Sequence, residues 1–146
     1  MNIIEERSYG VIAVLRGQGD KFLILKGAIG EHWAFSKGHA EKNETIKETA
    51  VRELKEETGI SDCNILDLPL ISEEYSFTRD NIEHNKIVQY FIGFVDSDVI
   101  TLQKEEIAQY KWLNYQDALA TLTFDGNKKT LEKAKDFIEN YRSVVK

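Results

Sequence analysis

The sequence has a single cysteine, a single proline and no apolar run approaching the roughly 20 residues that a bilayer span needs. With Cys63 alone, an intrachain disulfide framework is excluded, which suits a reducing cytoplasm. Cys63 reads as a small, partly buried side chain rather than a nucleophile. Excess positive charge is lacking too: 19 lysines and arginines stand against 25 aspartates and glutamates, a formal net charge of -6. No broad basic surface is therefore available to grip nucleic acid. Any polyanion would be repelled as well, unless bound divalent metal and a few local cations invert the field where it binds. The opening stretch MNIIEERSYG carries early acids and no long apolar segment, so it does not read as a signal peptide. No internal repeat, low-complexity tract or linker interrupts the chain. One domain spanning 1–146 is the expectation, with a monomer favoured.

What is present alternates between strand-like and helix-like stretches. Ser8–Arg16 and Lys21–Lys26 are apolar and β-branched, and Gly17-Gln18-Gly19-Asp20 between them supplies hairpin turn residues. A short apolar piece, Trp33-Ala34-Phe35, follows. Thr45–Thr58 lacks Gly and Pro, is rich in Glu, Lys and Ala, and predicts a helix stopped by Gly59. Further strands are expected over Leu66–Phe77, interrupted at Pro69, then over Lys86–Val95, with a loop from Thr78 to Asn85 between them. Tyr110–Leu113 is a short last strand. Asn114 caps a helix to about Leu122, and Asp125 or Asn127 caps a final helix ending near Tyr141. This order predicts an α/β (α+β) fold, a mixed β-sheet flanked by helices.

The chemistry concentrates between Gly38 and Ile60, which reads G-x5-E-x7-R-E-L-x-E-E-x-G-I. Positions i, i+3 and i+4 of a helix share a face, so Glu53, Glu56 and Glu57 project together. Ala50, Leu54 and Val51 fall on the adjoining apolar face, toward the sheet. Three clustered carboxylates repel one another, and a hard divalent cation resolves that repulsion: Mg2+ prefers oxygen ligands, with Mn2+ as the alternative. Such a cation holds phosphate oxygens and acidifies an attacking water. Arg52, four residues before Glu56, is placed to pair with a carboxylate and fix its orientation. Gly38 lets backbone come close to the metal, through the carbonyl of Lys37. The plainer reading is a solvated helix face balanced by Lys47 and Lys55. The full spacing and the flanking glycines favour the metal site.

That spacing resembles the Nudix box, the signature of hydrolases acting on a nucleoside diphosphate linked to another group, and every position matches. The resemblance implies an α-β-α sandwich. It also implies a further acid outside the box as metal ligand or general base; Glu106 matches by position, with Glu105 as the alternative. Beyond the box, His32-Trp33, Ser36-Lys37-Gly38-His39, Asn85-Lys86, Tyr110-Lys111-Trp112-Leu113 and Phe124 look like the asymmetric diadenosine tetraphosphate hydrolases. In those enzymes a proline commonly precedes the Lys-Gly-His, where this chain has Ser36.

The likeness implies a Mg2+-dependent hydrolase of dinucleoside polyphosphates, with a small nucleotide as its partner and Glu53 or Glu106 taking a proton from water. His32, Lys37 and Lys86 would neutralise phosphates, and Tyr75 or Phe77, with Phe124, would stack a base. Ordinary structural roles compete for each: a strand-edge lysine at 86, a core ring at 124, cross-strand packing at 75, a surface loop at His32. Hydrolysis of single nucleoside triphosphates or RNA 5′ ends is the alternative reading, and a nucleotide sensor without turnover a third.

Overall fold

The two apolar segments flanking Gly17–Asp20 pair as a hairpin, with Val14 opposite Phe22 and Leu15 opposite Lys21. A computed structural model describes residues 2–144, with side chains described for 2–142. In chain order the elements are β1 (Asn2–Leu15), β2 (Lys21–Gly27), β3 (Trp33–Ala34), β4 (Ser36–Gly38), α1 (Ile46–Thr58), β5 (Asn64–Ile65), β6 (Ile71–Arg79), β7 (Ile82–Val95), β8 (Ile107–Leu113), α2 (Tyr115–Thr121) and α3 (Asp125–Val144).

Unbroken apolar runs mark strands covered on both faces, and the two longest runs pair in the middle of the sheet. β1 and β7 lie parallel from Asn2 opposite Ile82 to Leu15 opposite Val95. The other pairings are antiparallel: β2 with β1, β3 and β8, β4 with β1, and β5 and β6 with β7. Alternation then sorts the side chains by face. Ile12, Val14, Tyr90, Ile92 and Phe94 pack with Ala118 of α2 and Leu131, Ala134 and Ile138 of α3. Val11, Ala13, Phe91 and Val95 pack with Ala50 and Leu54 of α1 on the other face. The mixed sheet between helices is the expected sandwich. Each fully buried Ile or Leu in these layers contributes about 1.5–3 kcal/mol of transfer free energy.

Four local expectations need correction. The stretch Thr78–Asn85 is no loop: β6 and β7 run into a two-residue turn at Asp80 and Asn81. Both residues adopt left-handed backbone (φ 54° and 62°), which Asp and Asn tolerate and hairpin turns require. The strand expected from Leu66 begins at Ile71, beyond Pro69. α3 begins at Asp125, so neither Asp125 nor Asn127 is its cap; Asn127 lies in its first turn. Val51 is 39% exposed, because α1 needs only its Ala50–Leu54 edge to cover the sheet.

Candidate active site

α1 is set by its ends. The Thr45 side chain accepts from the Glu48 N–H at 3.1 Å, and Glu48 Oε1 accepts from the Thr45 N–H at 2.9 Å, a reciprocal capping box. Gly59 closes the helix, its N–H donating to the Lys55 carbonyl at 2.8 Å. Between these ends, burial of Ala50 and Leu54 aims Glu53 and Glu57 along the sheet's edge, beside β4. Gly38 of β4 lies against the Glu53 carboxylate, where any Cβ would collide with it. The glycine therefore makes room for a carboxylate.

Glu106 reaches the same place from the other side of the chain. β8 pairs with β2 through Ile107 opposite Gly27, with an irregularity at Lys26 and Gly27, and the Glu106 carbonyl accepts from the Ala28 N–H at 2.8 Å. Among the described residues, Glu53, Glu57 and Glu106 form a group in which one carboxylate oxygen from each lies within 4.8 Å of the others. Burial pushes Glu57 up to about 7, partly offset by the Ser36 hydrogen bond and raised further by Glu53 and Glu106. Glu53 is raised as well, again chiefly by burial. Three converging carboxylates, two of them forced toward the neutral form, are what an oxygen-preferring divalent cation would relieve. The donor set therefore fits such a metal, which Glu53, Glu57 and Glu106 could hold.

Arg52 stands behind this group rather than in it. Its guanidinium donates to Glu44, to Glu53 Oε1 at 3.0 Å, to Glu56 Oε2 at 3.1 Å and to the His39 carbonyl at 2.8 Å. Glu56, expected as a metal ligand, is turned to Arg52 and lies outside the converging group, since Arg52 draws it along the helix surface. Glu105 is also outside it.

From Glu57 a cavity of about 800 Å3 opens along the sheet. Lys37, Lys133, Tyr75, His32 and Phe124 are among its lining residues. The His32 and Phe124 rings lie 4.9 Å apart at 36°, and Phe124 is 49% exposed rather than packed in the core. Burial, with Lys86 nearby, pulls the Lys37 ammonium down, opposed by Glu57, Glu73 and Glu53. Residues 6–134 match the NUDIX domain.

The chain belongs to the Nudix family. Among its relatives is the asymmetrical bis(5′-nucleosyl)-tetraphosphatase of Rattus norvegicus, 32% identical over 120 residues, which are 81% of this chain and 80% of that one. A C. elegans Ap4A hydrolase, solved as a binary complex, superposes with a TM-score of 0.79 at 23% identity, covering 92% of this chain and 98% of that one. The E. coli dihydroneopterin triphosphate pyrophosphohydrolase has the same fold, with a TM-score of 0.72 at 19% identity over 89% and 96% of the two chains. The chain is a Nudix pyrophosphohydrolase. Among the described residues, no helix is long and apolar enough to cross a membrane.

This Nudix protein sorts the expected substrate residues into two sets. His32, Lys37, Tyr75 and Phe124 line the cavity, whereas Phe77 and Lys86 do not. Phe77 stacks on His84 at 4.8 Å, and Lys86 Nζ lies 3.5 Å from Glu6 Oε2. Alternation puts Tyr75 and Phe77 on one face of β6, but two residues carry Phe77 about 6.6 Å farther along the strand. Cys63 is half-buried and its thiol is pushed up to about 12 by burial, as befits a packing residue.

The sequence marks neither Glu73 nor Thr130 as a site residue, and marks Asn127 only as a candidate helix cap. Asn127 Nδ2 donates to both Glu73 oxygens (2.8 and 3.0 Å) and Thr130 Oγ1 donates to Oε1 at 2.6 Å, tying α3 to β6 along the cavity wall. For Glu73 the signal is the period of two on β6, which sets it on the same face as Tyr75. Ser36, where those enzymes commonly have proline, donates its hydroxyl to Glu57 Oε1 at 2.6 Å.

Proposed function

We propose that this enzyme is a Mg2+-dependent hydrolase of dinucleoside polyphosphates, converting diadenosine tetraphosphate to ATP and AMP. The observation that carries the reading is the cavity, which joins the acidic group at Glu57 to an aromatic wall at His32, Phe124 and Tyr75. Its volume of about 800 Å3 lies in the range for ligand sites and leaves room for more than a phosphate chain. The relative named asymmetrical bis(5′-nucleosyl)-tetraphosphatase supports the same substrate class.

In this reading Glu53, Glu57 and Glu106 hold the cation, which supplies Lewis-acid polarisation of the phosphoryl group and a more acidic water. Arg52 holds Glu53 in place through its 3.0 Å contact. Lys37 and His32 neutralise phosphate oxygens along the cavity. Phe124, beside His32, stacks a base, an interaction worth about 1–3 kcal/mol. Glu53 or Glu106 takes the proton from the attacking water. One water is added and one bridging P–O bond breaks, so the tetraphosphate chain yields a triphosphate and a monophosphate. Catalysis is then mainly positioning and electrostatics.

Anion-exchange analysis of products from diadenosine tetraphosphate, ATP and GTP under matched Mg2+ tests the proposal. Equal ATP and AMP from the dinucleotide, with little triphosphate cleavage, is the expected result. Fast triphosphate cleavage with an inert dinucleotide moves the enzyme to the nucleoside triphosphate or RNA 5′-end group. Tight nucleotide binding without any product makes the protein a sensor.

A further inference from the structure

We infer that Ser36 is a positioning residue for Glu57, and that β4 as a whole is a ruler that spaces two carboxylates of α1. The inference rests on the metal-dependent reading above. Two strand residues advance about 6.6 Å and four helix residues about 6 Å, so a strand laid along a helix meets it at i, i+2 against j, j+4. β4 and α1 use that coincidence. Gly38 lies against the Glu53 carboxylate, and Ser36, two residues earlier, donates to Glu57, four residues later. Lys37, between them, points the opposite way and lines the cavity.

The contact is built for a single geometry. Ser36 is 3% exposed and Glu57 7%, so the contact is buried. A distance of 2.6 Å is that of a short hydroxyl-to-carboxylate bond. A serine hydroxyl has one proton to donate, and here it is spent on Oε1, leaving Oε2 for a cation. The seat of β4 is fixed from behind as well. Ser36, Lys37 and Gly38 pair with Val11, Gly10 and Tyr9 of β1. A Cβ on Gly10 would strike the Ser36 carbonyl, so a glycine there admits the close approach. Proline, which has no hydroxyl, could not hold Glu57 in this way.

The test is Mn2+ binding to the metal-freed full chain, read by electron paramagnetic resonance without substrate, for wild type, Ser36→Ala, Ser36→Thr and Ser36→Cys. Partners that orient a metal ligand are worth about 10- to 100-fold in affinity. Ser36→Ala is expected to weaken Mn2+ binding by that factor, with the Mg2+ requirement for turnover rising in step and nucleotide KM unchanged at saturating Mg2+. Ser36→Thr, which keeps the hydroxyl, is expected to restore binding. Should Ser36→Ala fail to give the wild-type circular dichroism spectrum, Ser36→Cys, close in size but a weak donor, carries the comparison. Equal Mn2+ affinity in wild type and the folded hydroxyl-free variant overturns the role of Ser36 and leaves the metal reading standing. A wild-type chain that binds no Mn2+ and turns over without divalent metal overturns both.

Discussion

Arg52 and Glu44 meet twice: Nε donates to Oε2 at 2.7 Å and Nη2 to Oε1 at 3.1 Å. Glu44 Oε1 also accepts from the Glu41 N–H at 2.8 Å and the Thr49 hydroxyl at 3.0 Å. The loop before α1 is thus tied to the middle of the helix, and the remaining Arg52 nitrogen is left for Glu53 and Glu56. A planar fork makes these simultaneous contacts; an ammonium at the same place could not.

This pair predicts acid sensitivity. Glu44 is held down from 4.5 to about 2, first by its hydrogen bond from Arg52. Its folded value lies below its unfolded one, so its stabilisation is present above about pH 4.5 and lost as pH falls toward about 2. Melting temperatures over that window are expected to fall more steeply for wild type than for Glu44→Gln. Superimposable curves would show that the pair adds nothing.

Glu57 has the opposite sign. Burial lifts it from 4.5 to about 7, so the metal-free fold prefers it protonated. Stability from this group is full below about pH 4.5 and declines as pH rises through about 7, a difference of about 3 kcal/mol. Scanning calorimetry in chelator is expected to show this decline in wild type and its absence in Glu57→Gln. Mg2+ is expected to raise the wild-type melting temperature most at the alkaline end, and Glu57→Gln to lose most turnover while staying folded.

Glu106 and Glu105 are neighbours with different surroundings, since only Glu106 joins Glu53 and Glu57. Glu106→Gln is expected to weaken Mg2+ binding, and so raise the Mg2+ requirement for turnover, by at least the roughly tenfold that even an outer partner of a ligand costs. Glu105→Gln is expected to leave it unchanged. Activity titrated against Mg2+ separates the two, and equal behaviour would remove Glu106 from the site.

Phe124 and Phe77 offer a matched comparison of aromatic rings. Phe124 lines the cavity beside His32, whereas Phe77 stacks on His84 outside it. Loss of about 1–3 kcal/mol of stacking predicts a dinucleotide KM about 5- to 150-fold higher for Phe124→Ala. Phe77→Ala is expected to keep the wild-type KM. A large drop in melting temperature for Phe124→Ala with KM unchanged would make that ring a packing residue instead.

The sequence by itself determined whatever depends on neighbours within one or two turns of chain. The helix over Thr45–Thr58, the Gly59 stop and the shared face of Glu53 and Glu57 follow from helical period and local backbone preference. Apolar, β-branched runs were enough to mark strands over Ser8–Arg16 and Lys86–Val95, not their central pairing. Long-range pairing decided the rest. Glu106 joins Glu53 because β8 pairs with β2, and Ser36 meets Glu57 because β4 lies along α1. The i, i+4 spacing puts Glu56 within reach of Arg52, but only the packed structure leaves Glu56 outside the acidic group and sets Phe77 against His84. Period tells which face a side chain takes; only the packed sheet tells what stands opposite it.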